Sequence, residues 1–236
     1  MQKLALVTGA SRGIGAAIAE RLAADGMKVL VHYNGSEARA RDLADRIGNG
    51  ATIVQTDLAE PDGGKVLASK VPGPIDVLVN NAGLFEVAPL TEVTDEQFES
   101  VLAVNVRSVF YLTREVARTM PDGGRIVTIG SVGGRMSSFP GNSVYSMSKF
   151  AIRGMSASWA RDLAPRQITS NVVQPGPVAT ELNSEDGPNA AMQLDVTPLK
   201  RFAKPSEVAA AVSYLCSDEA GFVTGGELDV AGGWGV

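Results

Sequence analysis

Short apolar runs recur along the chain: LALV (4–7), KVLV (28–31), ATIV (51–54), IDVLV (75–79), RIVTI (125–129), ITSNVV (168–173) and ELDV (227–230). Most are rich in β-branched residues and too short for helices, which reads as strands. Longer stretches with helical spacing separate them. Ile14, Ile18 and Leu22, for example, recur at i, i+4, i+8 and share one helix face. Buried strands alternating with amphipathic helices predict parallel βαβ units, hence an α/β fold with a doubly wound parallel sheet covered on both faces. Two long helices are expected, over about 94–119 and 143–164, on either side of the strand around Ile126. The segment 182–198 is polar, rich in Asn, Asp, Gly and Pro and without periodicity, which predicts a loop or lid.

Composition narrows the function classes. A chain of 236 residues without a linker-like stretch predicts one domain spanning 1–236, large enough to need neither disulfides nor structural metal. The one cysteine, Cys216, lies in the apolar run AVSYLC and reads as core packing. A reducing, cytoplasmic compartment follows. The N-terminal run LALV meets Thr8 and Gly9 at once, too short for a signal or a membrane span. A formal charge of −5 argues against nucleic-acid binding, which needs a basic face. A small anionic ligand held by backbone N–H groups remains compatible with it.

TGASRGIG (8–15) follows the first strand and opens the first helix, placing Gly9, Gly13 and Gly15 where backbone must approach a diphosphate. Ala16 and Ala17 follow the last glycine, where a P-loop needs Lys and then Ser or Thr. The spacing is G-x-x-x-G-x-G. Together with NNAG (80–83), Asn105, Ser131, YSMSK (145–149) and PGPVAT (175–180), in that order, the chain resembles the short-chain dehydrogenase/reductases, specifically their 3-oxoacyl-carrier-protein reductase branch. The resemblance covers essentially the whole chain. It implies an NAD(P)-binding Rossmann-type sheet of about seven strands and a nicotinamide cofactor. Ser11, Arg12 and Ile14 join the three glycines in the implied cofactor site.

In such sheets an acid ending the second strand selects NAD, because it accepts from the ribose 2′-hydroxyl and repels a 2′-phosphate. Tyr33 takes that place here, with Asn34 and Ser36 as neutral donors and Arg12 as the candidate cation, which favours NADPH over NADH. Relatives often carry Arg where this chain has Gly35. By resemblance, Asp57 and Leu58 contact adenine, and NNAG covers the adenosine ribose through Asn80, Asn81, Ala82 and Gly83. Pro175, Gly176, Val178 and Thr180 hold the nicotinamide end.

Carbonyl reduction needs a proton donor and a group that polarises the carbonyl. The only histidine, His32, ends the second strand beside the adenosine corner and is expected to pack or touch the cofactor. One His and one Cys exclude a zinc site, and IGSVG around Ser131 lacks the nucleophile elbow of a serine hydrolase. What remains is a phenol and an amine. Tyr145 and Lys149 lie one helical turn apart, so an ammonium can lower the phenol's pKa from its usual value near 10. The resemblance makes Tyr145 the general acid/base, and Lys149 its tuning cation and a ribose anchor. Ser131 becomes the carbonyl donor, and Asn105 helps place a water leading to Lys149. The fourteen positions from Ser131 to Tyr145 are one more than in many relatives, so that connection, with Ser137 and Ser138, must hold a longer turn.

The expected activity is NADPH-dependent reduction of a ketone or 3-oxoacyl compound to a secondary alcohol, reversibly. A nucleotide-binding sensor on the same fold is the alternative. The loop 181–197 should line the substrate site and carries no cationic clamp, favouring a neutral small-molecule carbonyl substrate. Docking an acidic carrier protein would require a basic patch, for which Arg107, Arg114, Arg118, Arg125 and Arg135 are the candidates. By resemblance the chain forms a homotetramer through its long helices and the segment ending AGGWGV.

Overall fold

The computed structural model describes residues 2–137 and 139–235, leaving outside it Met1, Ser138 of the Ser131–Tyr145 connection and the last residue of AGGWGV. Seven strands form one sheet: β1 Leu4–Val7, β2 Lys28–Tyr33, β3 Thr52–Gln55, β4 Val77–Asn80, β5 Arg125–Ile129, β6 Thr169–Pro175 and β7 Glu227–Val230. The order is β3-β2-β1-β4-β5-β6-β7, with all six pairings parallel. The helices are α1 Gly13–Ala24, α2 Glu37–Ile47, α3 Gly63–Ser69, α4 Asp95–Leu102, α5 Ser108–Thr119, α6 Ser143–Leu163, α7 Ala190–Asp195 and α8 Pro205–Cys216.

Strand residues alternate between two cores because successive side chains leave opposite faces of a sheet. Ala5, Val7, Val29, Val31, Val77, Val79 and Val127 pack with Ile18, Leu22, Leu43, Val208 and Val212 from α1, α2 and α8. Leu6, Leu30, Leu78 and Ile126 pack on the other face with Leu67, Leu112 and Val116 from α3 and α5. Each of these large side chains, taken out of water, contributes about 1.5–3 kcal/mol to folding. Ile18 and Leu22 are fully buried, whereas Ile14 sits at the edge of the same core. Cys216 is buried in that core, and burial pushes its thiol up to about 12.

The predicted helix over 94–119 is continuous but not uniform. Thr94 caps α4 reciprocally with Gln97, and a π-helical turn, Ala103–Arg107, joins α4 to α5. Asn105 sits in that turn. The polar segment after β6 contains the short helix α7, tied down where Asn183 and Gln193 exchange amide hydrogen bonds at 2.9 Å. Among the described residues no helix is long and apolar enough to cross a membrane.

Candidate active site

The sheet reverses winding between β1 and β4, and the crevice at such a switch point lies beyond the carboxyl ends of the strands. A cleft of about 570 Å³ opens there. The ends of β1 to β6, together with α6, deliver to it all of the residues expected to bind or react except Asn80 and Asn105: Gly9, Ser11 to Gly15, Tyr33, Asn34, Ser36, Asp57, Leu58, Asn81 to Gly83, Ser131, Tyr145, Lys149, Pro175, Gly176, Val178 and Thr180. Asn105 lies behind this wall.

The glycine turn is built around close approach. Gly9 and Gly13 take φ of +62° and +57°, the left-handed region that side chains disfavour. A Cβ on Gly15 would overlap the Gly9 carbonyl and lie 2.5 Å from Asn81 Nδ2. Bare backbone at the start of α1 is a cradle that fits a diphosphate. Thr8 and Asn81 brace this turn against the exit of β4. Asn81 Nδ2 donates to the Thr8 and Gly9 carbonyls, and the Asn81 and Ala82 N–H groups donate to Thr8 Oγ1, all at 2.9–3.1 Å. The Asn80 side chain is turned away from the cleft: its amide donates to Thr113 and Thr128 between β4, α5 and β5, which commits that side chain to the sheet.

His32 fastens the turn from the other side. Its Nδ1 accepts from the Gly9 N–H at 3.0 Å, which leaves Nε2–H to donate to the Thr56 carbonyl at 3.0 Å. Burial drives the imidazole down to about 4, so it is neutral at physiological pH. Nearby, the Glu37 carboxylate pairs with Arg41 at 2.7 Å. That acid, one residue beyond the corner's cleft-lining positions, is turned to Arg41.

At the other end of the cleft, Tyr145 and Ser131 line the same wall, and the Ser131 hydroxyl faces the phenol. Burial raises the phenol's pKa and the Ser131 hydroxyl only partly offsets it. The direction is opposite to that expected from Lys149 alone. The reason is geometric: Lys149 Nζ donates to the Ile129 carbonyl at 2.9 Å and lies 5.6 Å from the centre of the Tyr145 ring. Burial also brings the Lys149 amine down to about 8, leaving it a cation at neutral pH. Asn105 acts through its neighbours. Its Oδ1 accepts from Leu84 N–H at 2.8 Å, and its Nδ2 donates to the Leu84 carbonyl and to Ser148 Oγ, which donates to the Tyr145 carbonyl. The side chain is thus committed to holding the cleft wall and α6 together.

A model of the family described as Enoyl-(Acyl carrier protein) reductase matches residues 9–235. The cyclic-di-GMP-binding biofilm dispersal mediator protein of Escherichia coli K12 is 41% identical over 234 residues, spanning 99% of this chain and 98% of the relative. The chain belongs to the short-chain dehydrogenase/reductase family. The 3-oxoacyl-[acyl-carrier-protein] reductase of E. coli K12 is 40% identical over 238 residues, 98% of this chain and 96% of the relative. Among solved structures, a blue fluorescent protein from a metagenomic library in complex with NADPH superposes with a TM-score of 0.97 at 40% identity, covering 99% of this chain and 98% of that one.

Two features of this dehydrogenase/reductase, Gln174 and Phe85, escaped the sequence reading. Gln174, fully buried on β6, accepts from the Ser131 N–H at 2.6 Å and donates to Glu227 at 2.9 Å. It fits because Gly130 has no side chain: a Cβ there would collide with the Gln174 amide oxygen. Phe85 packs edge-on against Tyr145 with ring centres 4.8 Å apart, and with Leu84 and Leu182 it makes the mouth apolar. Of the loop 181–197, only Glu181, Leu182 and Asn183 reach the cleft.

Of the five candidate docking arginines, Arg125 is buried, Arg107 donates to the Ala59 carbonyl, Arg114 and Arg118 pair with Glu115, and Arg135 pairs with Asp229.

Proposed function

We propose that the protein is an NADPH-dependent carbonyl reductase, one nucleotide-binding domain throughout, that interconverts a neutral ketone or 3-oxoacyl compound and a secondary alcohol, with Tyr145 as general acid and base. The observation that carries this is the placement of Tyr145, Ser131 and buried Lys149 in the same cleft as the bare-backbone glycine cradle. NADPH, held when bound by the glycine turn, the NNAG turn and the 175–180 segment, supplies the hydride. A relative 40% identical over nearly the whole chain has been solved with NADPH, which supports that choice.

The chain's own groups supply the rest. A phenol whose pKa is raised by burial stays protonated at neutral pH, which keeps Tyr145 loaded as a donor to the carbonyl oxygen. The Ser131 hydroxyl holds that oxygen beside it. Lys149, cationic below about pH 8, stabilises the phenolate left after proton transfer. Asn105 positions Leu84 and Ser148 around the pair. The apolar mouth of Leu84, Phe85 and Leu182 admits an uncharged substrate and helps keep water out.

Tyr145→Phe should lower kcat about 10²–10⁴-fold while NADPH affinity stays within a few-fold of wild type. Turnover near the wild-type rate in the variant would remove Tyr145 from the role.

A second reading, a nucleotide-responsive regulator, draws on the relative described as cyclic-di-GMP-binding. Titration with NADPH and with cyclic-di-GMP, alongside NADPH consumption over a panel of ketones, diketones and 3-oxoacyl thioesters, separates the two. Binding without turnover on any of them selects the regulator. The outward faces of α5 and α6, with Phe110, Met147 and Phe150 partly exposed, support self-association into a homotetramer, and the buried, unpaired Cys216 accords with a reducing cytoplasm.

A further inference from the structure

Glu181 opens the polar loop, and its carboxylate sits between two arginines from different elements. Arg39, in the first turn of α2, donates from Nη1 to Glu181 Oε2 at 2.7 Å. Arg12 Nη1, from the glycine turn, lies 3.7 Å from the same oxygen. The cluster borders the corner lined by Tyr33, Asn34, Gly35 and Ser36, where the adenosine end of a dinucleotide belongs.

Two guanidinium groups converging on one oxygen form an anion site, and Glu181 is its internal occupant. The pairing holds the carboxyl below its usual range, with the Arg39 hydrogen bond as the largest cause. All three side chains are nonetheless about half exposed, at 46, 51 and 58% for Arg12, Arg39 and Glu181. Pairs this exposed are weak and exchange readily. A phosphate monoester brings about −1.5 to −2 charges and three acceptor oxygens at neutral pH, and so outcompetes a single carboxylate for paired arginines.

We infer that Glu181 is a specificity-determining residue that competes with the 2′-phosphate of NADPH for Arg12 and Arg39, and that Arg39 is the second cation of that phosphate site. This rests on the NADPH reading above and deepens it: the arginine absent at position 35 is replaced from the next turn of chain. A 2′-hydroxyl is neutral and cannot displace the carboxylate, so with NADH the three-residue cluster stays closed. Because Leu182 follows Glu181 directly, exchange at this corner also reaches the apolar mouth.

Dissociation constants for NADPH and NADH, measured by fluorescence titration on the full chain at low salt, test the inference in wild type, Glu181→Gln and Arg39→Gln. Glu181→Gln should tighten NADPH about threefold to tenfold and leave NADH within about twofold. Arg39→Gln should weaken NADPH by a similar factor with NADH unchanged. A Glu181→Gln variant that moves both constants equally, or neither, overturns the inference, as does an Arg39→Gln variant that binds NADPH like wild type. The NADPH reading itself fails on a separate observable, a wild type that does not prefer NADPH. In that case a preference emerging in Glu181→Gln supports the competition, and its failure to emerge overturns it.

Discussion

His32 shows how one side chain can serve a site without taking part in its chemistry. It is buried between the glycine turn and the exit of β3, neutral, with Nδ1 committed to Gly9 and Nε2 to Thr56. An unfolded histidine titrates near 6.5, whereas this one does so at about 4. Between those values the unfolded chain holds more protons than the folded one. Stability is therefore full above pH 6.5 and falls as pH drops toward 4, by about 3 kcal/mol from this group. Thermal melts at pH 7.5 and 4.5 should show a larger loss in wild type than in His32→Gln, and equal losses would remove His32 as the cause. Its position beside the adenosine corner was legible in the sequence, its grip on Gly9 was not. The hydrogen bond joins His32 on β2 to a residue 23 positions away in the turn that follows β1, and the β1–β2 register brings them together. The same holds for Arg39 and Glu181, which are separated by 142 positions. Tyr145 and Lys149 were legible because one helix turn carries both.

At the level of elements, alternation of short β-branched runs with helical spacing foretold every strand of the sheet to within a few residues. It missed what breaks periodicity. The π-helical turn at Ala103–Arg107 inserts one residue's worth of rotation inside a helix whose apolar spacing looks ordinary. Arg125 is the other instructive case. It opens β5 and reads as a surface cation, yet it is 7% exposed and donates to the Gly123 and Gly124 carbonyls at 2.6 and 3.2 Å and to the Ser217 carbonyl at 3.3 Å. It closes off the end of α8 against the start of the strand that leads to Ser131. Arg125→Met keeps the apolar stem but strands these acceptors, at a cost of about 2–3 kcal/mol. For a chain of this size that corresponds to a Tm lower by about 4–12 °C in differential scanning calorimetry. An unchanged Tm would show that the carbonyls find other partners.

For the molecule as a whole, the doubly wound sheet was legible because its inner strands announce their own burial. Assembly is a different matter, since it depends on which apolar groups are left outside. Phe110 and Trp159 tilt against each other across α5 and α6 with centres 6.3 Å apart, and Met147 and Phe150 stand exposed at i, i+3 on α6. If these faces meet between copies, light scattering after size exclusion should give four times the chain mass. Phe150→Glu should then shift it to a smaller species. A monomeric wild type would sink the assembly. One connection runs from the edge of the sheet to the cleft: Arg153 on α6 pairs with Glu227 at 2.7 Å, Glu227 accepts from Gln174, and Gln174 accepts from the Ser131 backbone. Glu227 lies on the outermost strand and looks like a freely variable surface acid. By this chain of contacts, a substitution at the rim of the sheet acts on the backbone of Ser131 and is a substitution in the wall of the cleft.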